Sequence, residues 1–312
     1  MPILPKTVRI VNMQQELLIA IFTGVGGMLG WGFADFFAKK IIDKVGPIVS
    51  LVWAHVFGTL AFAAIALYTV LILKTQIVFP VDLGVWGGLL FFGALQAAVY
   101  LLAYVGFGKG QLAVLNPVFA SYSGATAFIS IVVFGEAASL NRVLALAVIF
   151  VGVLSLSIDV KGLRSKRINF VRTPGLKEVG LAAILAAIWT LSWDRFVGGK
   201  DWIIYALFMY AFMTLAAFVV SRVMKTRLSI KRRSGAWTFM VLIGICEVVA
   251  YLSISLGFSV TSFTSVVALL SGAFSLPTII LAHIFLKERV NVIQRAGTFI
   301  IIAGVIILAI MQ

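Results

Sequence analysis

Charge is what this chain lacks most. Of its 312 residues only 11 are acidic, two are histidine and one is cysteine. Charged residues make up 12% of it, about half the roughly 25% usual in soluble domains. Hydrophobic residues make up 62%, and the mean hydropathy of +1.12 excludes an ordinary soluble domain. The lone Cys246 excludes an internal disulfide and suits a small packing residue. There is no Cys/His cluster, no HExxH, no GxxxxGKS/T and no Ser-His-Asp set that can be placed together. No enzymatic activity, cofactor or metal is therefore expected.

The net charge of +14 does not make a nucleic-acid binder. Basic residues sit in short segments between apolar runs, chiefly VKGLRSKRINFVRTPG (160–175) and SRVMKTRLSIKRRS (221–234). That placement fits orientation by the positive-inside rule and contact with anionic lipid. What the chain has in abundance is uncharged apolar sequence. A spanning helix needs about 20 mostly apolar residues. Charge-free windows near that size recur at 17–34, 45–73, 83–108, 110–135, 143–158, 179–193, 202–221, 248–286 and 296–312. The expected fold class is an all-α polytopic membrane protein. The first run, with Gly24, Gly26, Gly27 and Trp31, is longer than a secretory core and predicts an uncleaved helix.

Polar breaks and turn residues place ten helices at about 17–40, 47–73, 83–107, 111–135, 140–159, 176–197, 201–223, 235–258, 261–286 and 290–311. This gives an N-terminal segment 1–16, a five-helix unit 17–159, the basic linker 160–175 and a second five-helix unit 176–312. The two units look related. A shift of 151 residues places Trp86 on Trp237, Gly93 on Gly244, Tyr100 on Tyr251, Gly106 on Gly257 and Phe107 on Phe258. A shift of 152 places Ser123 on Ser275, Glu136 on Glu288, Gly152 on Gly304 and Val153 on Val305. An odd number of helices per unit turns the second upside down. Inverted repeats of this kind are a transporter signature, with the substrate site near the midplane at their interface. Of the 25 lysines and arginines, 19 fall on one face and 6 on the face carrying both termini. That bias puts both termini outside.

One acid stands out. Residues 234–246 and 248–286 contain no charged side chain, yet Glu247 lies between them. A carboxylate at the centre of a spanning helix costs roughly 2.5–3.5 kcal/mol on insertion scales and usually faces a cavity or a partner. Gly244, Glu247, Tyr251 and Ser255 share one helical stripe. The repeat mate of Glu247 is Gln96, again followed four residues later by a tyrosine, Tyr100. Gln96 and Glu247 are expected to face one central site from opposite sides, with Glu247 the candidate proton carrier. The alternative is a protonated glutamate that only packs helices together.

Asp35 follows Trp31 at i,i+4 in GWGFADFF, and Trp189 and Trp193 share a face in WTLSWDRF. Aromatic walls beside a carboxylate suit a cationic or zwitterionic amine. Asp35 could equally form a helical pair with Lys39. Asp194 is expected to pair with Arg195 at a helix end. Asn116-Pro117 and Pro277 break their helices and free carbonyls for coordination, gating or a static kink. Ser271, Ser275 and His283 fall on one helical face, where serines favour close packing. His55 reads as an interior hydrogen-bonded residue, with pH sensing as the alternative. Glu136 and Glu288 end their helices and are expected to be structural. The candidate substrate-binding set is Trp31, Asp35, Gln96, Tyr100, Asn116, Trp189, Trp193, Glu247, Tyr251 and Ser275.

Three stretches, GWGFADFFAKK (30–40), LNPVFASYSGATAFISIVVFGE (115–136) and LSGAFSLPTIILAHIFLKERVNVIQRAGTFIIIAGVIIL (270–308), carry a family likeness. Through them the chain resembles the drug/metabolite transporter superfamily, in particular its EamA-type ten-helix members. The resemblance implies a single-chain carrier working by alternating access around a central cavity shared by both halves. Characterised members export amino acids, other metabolites or drugs, and relatives move nucleotide sugars or triose phosphates. Several bacterial members keep both termini in the cytoplasm, opposite to the charge count here.

The expected function is a secondary transporter in the cell membrane, exporting a small organic solute such as an amino acid, amine or amphipathic metabolite. Protons are the candidate coupling ion, and the working unit is a monomer or homodimer. Two other readings stand beside it. An exchanger of anionic phosphorylated metabolites needs a basic residue facing the cavity, and Lys39, Lys109 and Arg195 all lie near helix ends. A membrane scaffold that binds without turnover should show no flux and no substrate-dependent change in the accessibility of Cys246 to thiol reagents.

Overall fold

In the computed structural model, which describes residues 13–110, 112–156, 174–230, 235–285, 287 and 291–310, the chain is a bundle of helices. These are α1 Met13–Val45, α2 Pro47–Leu71, α3 Leu83–Lys109, α4 Leu112–Ala120, α5 Tyr122–Val132 and α6 Leu140–Leu156 in the first half. The second half holds α7 Leu176–Val197, α8 Trp202–Val223, α9 Ala236–Val260, α10 Thr264–Gly272, α11 Ser275–Phe285 and α12 Val292–Ile310. α4 with α5 and α10 with α11 each form one broken span, so the described residues make ten spans. Eight are long and apolar enough to cross a bilayer, and α6 and α12 are shorter apolar helices. The chain is a multi-pass integral membrane protein. Glu288 and residues 160–173 of the basic linker lie outside the described residues.

Local chemistry sets several helix starts. α2 begins with Pro47, whose missing N–H costs nothing in a first turn, behind Gly46 at φ 86°. Asp82 caps α3 by accepting from the Gly84 N–H at 2.7 Å, and Asp201 caps α8 through the Ile204 N–H at 3.2 Å.

The two five-span halves are inverted repeats and pack as such. α3 lies against α7 and α8, while its counterpart α9 lies against α1 and α2. The matched glycines sit at these contacts. A Cβ on Gly244 would lie 2.6 Å from the Ala54 oxygen and the Gly58 nitrogen of α2. One on Gly93 would lie 2.7 Å from the Met209 oxygen and the Met213 nitrogen of α8. Only the absence of a side chain lets these backbones approach so closely. These matching contacts pair Ala54 with Met209 and Gly58 with Met213, a shift of 155 between α2 and α8, which makes His55 the counterpart of Tyr210 and Thr59 that of Thr214. Thr59 and Thr214 hydrogen-bond each other at 2.8 Å, so the pseudo-two-fold axis passes between them.

The broken spans are counterparts as well. The first break falls at Ser121 and the second at Ala273–Phe274, and the 152-residue shift carries Ser121 onto Ala273. Pro117 stands before its break and Pro277 after its own, so the breaks align although the prolines do not. Each proline withdraws an N–H from the helix and crowds the carbonyl four residues back. At the first break the Ser121 N–H still reaches the Pro117 carbonyl at 3.1 Å, and the Ser121 hydroxyl donates to the Val118 carbonyl at 2.7 Å. The single face expected for Ser271, Ser275 and His283 is not formed, because the break lies between them. Both serines are buried and His283 is exposed.

Candidate functional site

Polar side chains gather at two neighbouring places in the core. The first is a cavity of about 20 Å³, with room for about one water, bounded by Trp31, Asp35, Gln96, Tyr100 and Trp189. All five belong to the set expected from sequence. The rest of the wall was not expected: Phe119, Tyr122 and Phe274 come from the two breaks, and Ala186 and Thr190 from α7. The breaks thus turn three aromatic rings inward, with Phe274 5.6 Å from Phe119 and 6.4 Å from Tyr122 between ring centres.

Asp35 is buried and accepts a hydrogen bond from Asn116 Nδ2 at 2.6 Å. The Asp35–Lys39 pair is not formed. Lys39 reaches Asp43 at 3.3 Å and donates to the Phe107 carbonyl at 3.0 Å, because it lies one turn nearer the helix end. Trp31 Nε1, Gln96 Oε1, Asn116 Oδ1 and Ser275 Oγ are buried without a hydrogen-bond partner. Buried polar atoms are seldom left so. Trp31 and Gln96 line the cavity beside Asp35, and Asn116 is bonded to it, so one unused donor and two unused acceptors lie near that carboxyl group; Ser275 is not among the lining residues.

The second place is centred on Glu247, which is fully buried. Tyr104 donates to its Oε1 at 3.3 Å, and Tyr210 donates to its Oε2. His55 Nε2 stands 3.3 Å from Oε2, within ion-pair range but not aligned as a hydrogen bond. The other ring nitrogen, Nδ1, lies 2.6 Å from the Leu51 carbonyl and must donate to it. The sequence places Gln96 and Glu247 on one site from opposite sides, and the structure corrects this: Gln96 lines the cavity and Glu247 is not among its lining residues. Gln96 Nε2 donates instead to the Tyr251 hydroxyl at 2.7 Å. Tyr251 follows Glu247 by one turn, and its ring fills the space between the two residues. It makes edge contacts with Trp31 at 5.7 Å, Trp189 at 5.9 Å and Tyr210 at 5.4 Å.

Trp193 does share a face with Trp189, stacking on it at 5.4 Å, but it lies behind the cavity wall. Its Nε1 donates to Ser255 Oγ at 3.3 Å, so Trp193 supports the site without lining it. Arg195 is not ion-paired with Asp194. It donates to the Leu191 carbonyl at 3.2 Å and lies over the Phe134 ring. Glu136 caps α10, accepting from the Ser265 N–H at 2.8 Å and from its hydroxyl. Among the described residues no cluster of acids, histidines and cysteine could hold a metal ion.

A family model described as the EamA-like transporter family matches residues 18–158 and again residues 176–310. The chain belongs to that family. It is therefore a membrane transporter for a small-molecule solute. The EamA transporter also resembles a protein solved by crystallography, at a TM-score of 0.70 and 14% identity. That likeness covers 94% of this chain and 96% of the other, and it concerns the fold alone. No curated protein matches the EamA transporter.

Proposed function

We propose that this EamA transporter exports an amine-bearing solute, an amino acid, amine or amphipathic cation, across the cell membrane in exchange for protons. The observation that carries the reading is Asp35. Its carboxyl group is buried against Asn116 in a cavity walled by Trp31, Tyr100, Tyr122 and Trp189. An ammonium group gains there both from the carboxylate and from the ring faces. The unpaired Gln96 Oε1 offers it an acceptor, and the unpaired Trp31 Nε1 offers a donor to a carboxylate on the same solute.

A cavity of about 20 Å³ admits no such solute as it stands. Loading requires the halves to part, and their inverted relation provides two equivalent ways of doing so. Glu247 supplies the proton. Bound proton and bound cation each neutralise buried negative charge, so each favours a different state of the site. Proton entry down its gradient then drives the solute outward.

The phosphorylated-metabolite reading lacks support, since the residues lining the cavity include Asp35 and no lysine or arginine. The test is flux in proteoliposomes across a panel of amino acids, amines and cationic amphiphiles, with Asp35→Asn beside the wild type. Transport of a cationic or zwitterionic member, lost in Asp35→Asn, is expected. Transport confined to anionic phosphorylated metabolites would overturn the reading. No flux, together with Cys246 labelling by thiol reagents that no solute alters, would favour a scaffold.

A further inference from the structure

We infer that His55 and Glu247 together form a single proton-binding site, apart from the solute cavity and bridging the two halves of the protein. The inference rests on the transporter reading only for the use made of the proton.

The hydrogen-bond geometry requires the two residues to act as a unit. Nδ1 of His55 is committed as a donor to the Leu51 carbonyl, so Nε2 is the nitrogen that faces Glu247 at 3.3 Å. If Nε2 and the carboxyl group both lack a proton, a lone pair faces an anion in a place with no solvent exposure. One proton between them removes that conflict wherever it resides. On Nε2 it makes an imidazolium–carboxylate pair, and on the carboxyl it makes two neutral groups. Both forms carry no net charge, which is what a buried site tolerates.

The other titratable groups around Glu247 leave this balance to the pair. Tyr104 and Tyr100 come from α3, Tyr210 from α8 and Asp35 from α1, while Tyr251 and Cys246 share α9 with it. The phenols of Tyr104 and Tyr210 donate to Glu247, and Asp35 is held by Asn116. α10 contains no titratable residue, and α7 brings Trp189 and Trp193 to this level.

Symmetry points the same way. His55 and Tyr210 are counterparts and stack at 5.2 Å beside the pseudo-two-fold axis. Glu247 and Gln96 are counterparts across it. The scaffold repeats, but the base occurs only in the first half and the acid only in the second. Because His55 comes from the first half and Glu247 from the second, any motion that parts α2 from α9 would change their 3.3 Å separation. Tyr100 links the pair to the solute, since it lines the cavity and makes an edge contact with His55 at 5.4 Å.

The chain has two histidines, so ¹⁵N-histidine labelling of the full-length protein in nanodiscs gives two imidazoles, with His55→Gln assigning them. Between about pH 5 and 8 the wild-type His55 signal is expected to titrate in one step that belongs to the pair. Glu247→Gln is expected to move that midpoint by more than about one pH unit, the scale of a direct charge partner. If Glu247→Gln does not fold, Tyr210→Phe, which removes one donor to Oε2, is expected to shift the same midpoint. An unchanged midpoint, or an imidazole that never titrates in either protein, would overturn the inference. Failure of the transport reading would look different: the paired titration would be present while solute flux ignored pH.

Discussion

The close approach of α9 to α2 is a place where a one-carbon change should be felt strongly. A Cβ on Gly244 would sit 2.6 Å from two backbone atoms of α2, against an ordinary contact of 3.4 Å or more. In Gly244→Ala, α2 must therefore retreat by about 0.8 Å. Overpacking of this kind costs about 1–3 kcal/mol. Alanine also gains about 1 kcal/mol over glycine in helix propensity, so a matched control is needed. Gly180 lies within α7, and a Cβ there would meet nothing within 4 Å. The two substitutions share the propensity gain, and their difference in unfolding free energy isolates the packing cost. Chemical unfolding in detergent micelles is expected to place Gly244→Ala about 1–3 kcal/mol below Gly180→Ala. The inverted repeat adds a second requirement. Gly93→Ala, at the matching contact with α8, should cost a similar amount. Equal stability of Gly244→Ala and Gly180→Ala would refute the packing argument. A harmless Gly93→Ala beside a costly Gly244→Ala would refute the symmetry.

Three further outcomes can be checked. Asn116→Ala leaves the Asp35 carboxyl group without its 2.6 Å partner and should cost about 1.5–3 kcal/mol in the same unfolding assay. Trp189→Ala should weaken solute binding by about tenfold or more, since it removes a cavity wall, whereas Trp193→Phe should lower stability and leave affinity nearly unchanged. Glu136, in the loop between α5 and α6, is half-buried, and burial raises its carboxyl above the ordinary value of 4.5. An acid raised in the folded state contributes stability that is present below 4.5 and is lost as pH rises through the higher folded value. Melting scans should show that decline in the wild type and a flatter profile in Glu136→Gln.

Much of the architecture was legible because charge is so rare. Uncharged windows marked the spans, and paired Trp, Gly and Tyr residues marked the repeat. Glu247 and Asp35 stood out for the same reason, since an acid inside a greasy helix has few tolerable surroundings. The partners were harder to read. Whether Glu247 meets Gln96 or His55 depends on the ring of Tyr251 and on the α2–α9 approach at Gly244, and both are properties of packing. The paired breaks were hidden because Pro117 and Pro277 lie on opposite sides of aligned positions. Phe119, Tyr122 and Phe274 were missed for that reason: only the broken backbone turns those rings into the cavity. A faint signal existed for His55, one of two histidines in the chain, in the middle of the uncharged run 45–73. Trp193 misled because a shared helical face does not say which of two stacked rings is in front.

Separate places for solute and proton within one carrier are the point to test. The most direct measurement is accumulation of a transported amine or amino acid in proteoliposomes under an imposed pH gradient, comparing wild type with Glu247→Gln. The wild type should accumulate solute against its gradient, and the variant should retain downhill exchange but lose the response to pH. Equal proton-driven accumulation in both would contradict the assignment of the proton to Glu247.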